Sequence, residues 1–119
     1  MKPPLISIGI LNHNGLIYLK KTISSALEQR YSNFEIVVVD NGSTDKSIEY
    51  LESLKNKNIK IVKNGENYGY SKGKNICVEK CKGKYILLID EDIEILGKNC
   101  LDNFIKFYKE NKGIAFLAP

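Results

Sequence analysis

Phe34-Glu-Ile-Val-Val-Val-Asp-Asn-Gly-Ser-Thr-Asp45 (FEIVVVDNGSTD) decides the fold. Ile36 to Val39 are apolar without alternation, so both faces of a strand over Phe34–Val39 are buried. That pattern belongs to a parallel sheet covered on its two sides. The strand breaks at Asp40-Asn41-Gly42, and Ile48, Leu51 and Leu54 then recur at helical spacing. Ser43 or Thr44 is the expected cap of that helix, with Asp45 serving the same end.

Strand–helix alternation continues in both directions. Upstream, Leu5–Leu11 (LISIGIL) reads as a buried strand between Pro3-Pro4 and the polar turn Asn12-His13-Asn14-Gly15. Leu16, Leu19, Ile23, Ala26 and Leu27 follow at helical spacing, with Asn14 as the expected N-cap. Downstream, Ile59–Val62 (IKIV) is a short third strand. A glycine- and asparagine-rich loop, Gly65 to Gly73, opens into a helix that carries Ile76, Cys77 and Cys81 and stops at Gly83. Tyr85–Ile89 is the fourth strand, Leu101, Phe104, Ile105 and Tyr108 mark a helix ending near Gly113, and Ile114–Leu117 (IAFL) is a last strand. The expectation is one α/β domain over residues 1–119. Its architecture is three-layer and Rossmann-like, a mainly parallel sheet with helices on both faces.

Bulk properties narrow the function. The 119 residues are 43% hydrophobic, with 18 Lys+Arg against 14 Asp+Glu and a formal charge of +4, the composition of one globular domain. Arg30 is the only arginine and the lysines are scattered, without the aromatic-interleaved basic stripe of a nucleic-acid binder. No apolar run approaches the ~18 residues of a membrane span, and MKPPLISIGIL lacks a signal-peptide cleavage site. The reading is cytoplasmic, including the cytoplasmic face of the membrane. Cys77 and Cys81 stand four apart without a CxxC or a histidine partner. They read as small buried hydrophobes rather than metal ligands.

Sheets of this kind bind ligands beyond the carboxyl ends of their strands. The polar clusters all fall there: Asn12-His13-Asn14, Asp40-Asn41-Gly42, and Asp90-Glu91-Asp92. In Lys84–Ile95 (KYILLIDEDIEI) an apolar run meets three carboxylates, whose burial is costly unless something positive sits there. Asp90-x-Asp92 offers the oxygen donors that Mg²⁺ or Mn²⁺ takes alongside diphosphate oxygens. Alternate residues leaving a strand point opposite ways, so the two can share a cation only if the chain turns, with Ile93 re-entering the core. Asp40 can accept a hydrogen bond from a base or ribose, or it can close a local turn. His13, the sole histidine, is placed to pack against a planar ligand.

Other nucleotide motifs fail on spacing. Gly69-Tyr-Ser-Lys-Gly73-Lys74-Asn75 has three residues between its glycines where a P-loop has four, and Asn75 stands where Ser or Thr binds Mg²⁺. NHNG lacks GxGxxG. LIDED matches the DxD of HAD-like phosphatases, but there the motif opens the fold, and Glu94 stands where Thr or Val is expected.

Four ordered stretches, ISIGILNHNG, VVVDNGSTDKS, NYGYSKGKN and GKYILLIDEDIEI, together resemble the nucleotide-binding half of the family-2 glycosyltransferases, inverting enzymes of the GT-A type. The likeness covers essentially the whole chain. It implies a nucleotide-diphosphate sugar as donor, probed by Leu11, Asn12, His13, Asn14, Asp40, Asn41, Gly69 and Lys74. His13 stands where tyrosine is commoner and Lys74 where arginine is more usual, without the bidentate fork. The likeness further implies that Glu91 approaches the ribose or sugar, and that Asp92, supported by Asp90, holds a divalent metal, Mn²⁺ or Mg²⁺. The acceptor would be a glycan or a lipid-linked saccharide. The catalytic base lies in the acceptor-binding half, before which this chain is expected to stop. A nucleotide-binding module without turnover is the alternative, and an unpaired sheet edge favours self-association.

Overall fold

The structure, a computed structural model, describes residues 2–113. Strand and helix alternate as β1 (Ile6–Asn12), α1 (Leu16–Leu27), β2 (Phe34–Asp40), α2 (Ser47–Ser53), β3 (Ile59–Lys63), α3 (Tyr70–Lys80), β4 (Tyr85–Asp90) and α4 (Cys100–Glu110). Every pairing is parallel, and the strand order is β3-β2-β1-β4. The expected strand Ile114–Leu117 lies outside the described residues. Among them, no helix is long and apolar enough to cross a membrane.

Side-chain alternation along the strands sorts the core into two layers. Ile6, Ile8 and Ile10 of β1, with Ile36 and Val38 of β2, pack against Leu19, Ile23 and Ala26 of α1, Leu51 of α2, and Leu101 and Ile105 of α4. Leu11, Val37 and Val39 face the other way, against Cys77 of α3. Helices therefore cover both faces, and each fully buried Ile, Leu or Val contributes roughly 1.5–3 kcal/mol.

Each strand runs one residue beyond its apolar stretch, and the register explains why. Asn12 pairs with Asp40, Asp40 with Lys63, and Leu11 with Asp90. The ladder thus delivers the polar residues to one edge of the sheet.

Three local expectations are corrected by the geometry. Asn14 does not cap α1: it adopts φ 51°, and its Oδ1 accepts from the amides of Thr44 at 2.7 Å and Asp45 at 3.1 Å. The Leu16 amide is met instead by Asp45 Oδ2 at 3.1 Å, while Asp45 Oδ1 accepts from the Ser47 amide at 2.9 Å. One carboxylate therefore serves the starts of α1 and α2, and neither Ser43 nor Thr44 caps α2. Ile93 does not re-enter the core. It is 42% exposed, and Ile95, at 8%, enters in its place, its amide held by Ser25 Oγ at 2.9 Å.

α3 also starts earlier than the glycines suggest, at Tyr70, so Gly73 lies inside the helix. A Cβ there would sit 2.7 Å from Leu11 Cδ1 and 3.0 Å from Asn41 Nδ2. Any side chain there would have to displace Leu11 or Asn41, so glycine lets α3 close onto the ends of β1 and β2.

Candidate functional site

At the carboxyl edge, Leu11, His13, Asn41, Asn67, Gly69, Tyr70, Asp90, Glu91 and Asp92 line a cleft of about 350 Å³. Its walls come from the ends of β1, β2 and β4 and from the start of α3. An adjoining recess, lined by Lys74, Leu88 and Ile93 among others, shares Tyr70 and Asp90 with it. A larger groove lies between Leu96 and Phe107, but no carboxylate lines it.

The β1 and β2 ends are built around a buried Asp40. Its Oδ1 accepts from Asn12 Nδ2 at 3.0 Å and from Ser43 Oγ at 2.7 Å, and its Oδ2 accepts from the Ser43 amide at 2.9 Å. Ser43 Oγ in turn accepts from the Asn14 amide at 2.9 Å. Asn12 and Asp40 are both 0% exposed, so these two expected site residues lie beneath the cleft and hold its floor. Asn12 Oδ1 has no hydrogen-bond partner among the described residues. Asn14 likewise works on the 43–45 turn rather than in the cleft.

Asn41 does face the cleft, and it organises the glycine-rich loop opposite. Its Nδ2 donates to Asn67 Oδ1 at 3.2 Å and to the Gly69 carbonyl at 3.1 Å, and its Oδ1 accepts from Asn64 Nδ2 at 3.0 Å and the Tyr68 amide at 3.2 Å. Gly42, at φ 74°, makes the turn beneath that loop, where a Cβ would lie 2.7 Å from the Glu66 backbone. His13 is exposed, and its Nδ1 lies 2.9 Å from the Asn41 carbonyl. A carbonyl only accepts, so Nδ1 carries the proton and the ring plane is fixed over the cleft mouth.

After β4 the chain turns at once, the Ile93 amide reaching back to the Asp90 carbonyl at 3.3 Å. Thr22 Oγ1 of α1 pins the turn by donating to the Glu91 carbonyl at 2.5 Å. Asp90, Glu91 and Asp92 thereby share one cleft. Lys74 Nζ lies 2.6 Å from Asp90 Oδ1 and 3.2 Å from the Ile89 carbonyl, with a side chain only 12% exposed. Lys74 is thus behind Asp90 rather than open to the cleft. Burial pushes the Glu91 carboxyl above its ordinary range; the charges of Asp92 and Asp90 add to this, and its own amide and Lys74 oppose it without cancelling.

One ammonium against three carboxylates leaves two negative charges at this end of the cleft. Hard divalent cations take one or two protein carboxylates and complete their shell with phosphate oxygens and water. Asp92, exposed and in the cleft, and Asp90 beside it suit that partial set. A complete protein cage is absent, since no group of three His, Cys, Asp or Glu ligands is placed for a metal among the described residues.

Sequence reasoning missed Tyr70, Asn67 and Thr22. Tyr70 is 65% exposed at the cleft rim and reads in sequence as an ordinary aromatic. Asn67 carried a signal in the Asn-x-Gly spacing to Gly69. Thr22 carried none, because its partner is a backbone carbonyl 69 residues away.

A family model described as glycosyl transferase family 2 matches residues 7–119. An uncharacterized glycosyltransferase of Haemophilus influenzae is 37% identical over 113 residues, which cover 93% of this chain and 45% of that protein. WfaP of Escherichia coli, a UDP-Glc:alpha-D-GlcNAc-diphosphoundecaprenol beta-1,3-glucosyltransferase, is 34% identical over 88 residues, 74% of this chain and 35% of that protein. The crystal structure of S. aureus TarS 1-349 in complex with UDP matches with a TM-score of 0.82 at 26% identity, over 95% of this chain and 38% of that one. The chain therefore spans less than half the length of each of these relatives. With a parallel sheet whose strand ends meet in one acidic cleft, and with a family match along nearly its whole length, the chain belongs to glycosyl transferase family 2 and has the α/β fold of the GT-A glycosyltransferases.

Proposed function

We propose that the cleft binds a nucleotide-diphosphate sugar, UDP-linked, together with Mn²⁺ or Mg²⁺. The whole protein then transfers the sugar to an acceptor hydroxyl with inversion. The convergence of three strand ends and the start of α3 on one cleft, acidic at one end and lined by Leu11, His13 and Tyr70 at the other, carries this reading. The cleft volume of about 350 Å³ falls within the range of small-ligand sites. The choice of UDP is supported by the UDP in the TarS complex and by the UDP-glucose donor of WfaP.

Each residue has a role in this scheme. Leu11 and the imidazole of His13 flank the base, and Asn41 and Gly69 hold the turn and loop that shape the cleft around it. Asn12, Asn14 and Asp40 act on the ligand only through the turn they hold. Glu91 faces the ribose or sugar. Asp92 and Asp90 hold the cation, and Lys74 orients Asp90 while removing one of the three negative charges. A divalent cation held there would neutralise charge on the departing diphosphate. None of the cleft residues is assigned as the base that deprotonates the acceptor. The acceptor is a glycan or a lipid-linked saccharide, and the reaction belongs to the cytoplasm or the cytoplasmic face of the membrane. The outer sides of β3 and β4 are unpaired among the described residues, which favours self-association of this chain.

Calorimetric titration tests the reading. UDP is expected to bind about 10-fold more tightly when Mn²⁺ is present, a gain of about 1.4 kcal/mol. Asp92→Ala should remove that gain and leave metal-free binding unchanged. No heat with UDP under either condition would reject the donor assignment, and an unchanged Mn²⁺ effect in Asp92→Ala would reject the metal ligand.

A further inference from the structure

We propose that Cys77 and Cys81 form a reversible redox pair, in which a hydroperoxide oxidises Cys81 and Cys77 resolves it into a disulfide within the last turn of α3. The inference is independent of what the cleft binds.

The two cysteines sit on consecutive turns, the Cys81 amide donating to the Cys77 carbonyl at 3.2 Å. Helix geometry sets their Cα atoms about 6 Å apart, within the span of disulfides. Their sulfurs converge above Gly9 of β1. A Cβ on Gly9 would lie 2.7 Å from Cys77 Sγ and 3.5 Å from Cys81 Sγ, so the missing side chain leaves room for both. The Cys77 thiol donates to the Val37 carbonyl at 3.8 Å, with Cys81 beside it. Cys81 is also the residue at which α3 ends, with an extended backbone at φ −76° and ψ 132°.

The pair is asymmetric in the way a reactive dithiol requires. Cys81 is half-buried, whereas Cys77 is 0% exposed. The neighbouring Cys77 thiol holds the Cys81 thiol below its ordinary range; the Ser7 hydroxyl and the Lys60 charge add to this and outweigh burial and Glu35. The neighbouring Cys81 thiol, then burial, pushes the Cys77 thiol up. Cys81, the more accessible of the two, is the sulfur that meets the oxidant, and Cys77, buried beside it, is the one that resolves it. Cys100, pushed up by burial and without a thiol neighbour, is the built-in control.

The chemistry balances. The Cys81 thiolate attacks one peroxide oxygen, the O–O bond breaks, and hydroxide leaves and is protonated to water. Cys81 is then a sulfenic acid. Cys77 sulfur attacks Cys81 sulfur, the S–O bond breaks, and the Cys77 proton departs with the oxygen as a second water. Two thiols lose two electrons, the hydroperoxide gains them, and a thiol reductant reverses the reaction.

Trypsin cuts after Lys74, Lys80 and Lys82, which separates the two cysteines. The reduced chain is treated with stoichiometric hydrogen peroxide, alkylated, digested and analysed without reductant. Peptides Asn75–Lys80 and Cys81–Lys82 should travel as one species lacking two hydrogens, and should separate after dithiothreitol, while Cys100 is recovered alkylated. In Cys77→Ser, Cys81 should instead be trapped as a sulfenic acid by dimedone. Cys81 over-oxidised beside an alkylatable Cys77 in the wild-type chain, or disulfides formed only between chains, would overturn the proposal. The wild-type measurement requires no variant to fold.

Discussion

Asp40 shows how far a single residue's role departs from its letter. As a carboxylate at a strand end it reads equally as a ligand contact or a turn, and in the structure it is buried with three protein hydrogen bonds converging on it. Asp40→Ala would leave Asn12 Nδ2 with only Ser43 Oγ, at 3.2 Å, and would take from the half-buried Ser43 its carboxylate acceptor, costing roughly 1–3 kcal/mol. Thermal unfolding should report that loss, whereas a direct ligand contact would leave stability unchanged. Glu91 carries the opposite sign. A carboxyl raised in the fold is destabilising once ionised, so stability is full below its unfolded value near 4.5 and falls as pH rises through the folded value. Glu91→Gln should therefore stabilise the protein at neutral pH and flatten the decline of stability above pH 4.5; denaturant melts across pH check this. That Asp90 and Asp92 could share one site hung on a turn after β4, which the Ile93 amide makes by reaching back to the Asp90 carbonyl. That Lys74 would neutralise Asp90 was not legible in the sequence, because the pair is formed only when α3 docks beside β4.

At the scale of elements, the strands were the easiest to read, since unbroken apolar runs admit few alternatives. Helix starts were misread because the capping group came from another loop: Asp45 serves the Leu16 amide across 29 residues, a partner no local pattern reveals. Its carboxyl is held below the ordinary value of 3.8: burial pushes it up, and hydrogen bonds from Ser47 and Leu16 prevail. The stability it gives is present above that value and is lost as pH falls through the lower folded value. Asp45→Asn should flatten this acid limb, and an unchanged limb would mean that the contact is idle. α3 makes the second element-scale case. Gly73→Ala should push α3 off Leu11 and Asn41 and weaken UDP binding about 10-fold or more, with far-UV circular dichroism retained; unaltered affinity would show that α3 tolerates the displacement. The glycine-rich stretch read as a loop because helices seldom contain Gly. Here close approach to the sheet outweighs the roughly 1 kcal/mol helix cost.

Across the whole molecule, the parallel α/β architecture was legible because strand–helix alternation and non-alternating strands leave few topologies open. The strand order, with β1 central between β2 and β4, brings three separate polar clusters within reach of one ligand. Sequence order alone does not state that placement, yet the functional reading depends on it. The most direct test uses Mn²⁺ as a paramagnetic probe in the presence of UDP, read out by amide NMR. Mn²⁺–UDP should broaden the resonances of His13, Asn41, Gly69 and Asp92 together, and Asp92→Ala should abolish the effect. Broadening confined to Asp90–Asp92, with His13 and Asn41 untouched when UDP is present, would contradict a single shared cleft.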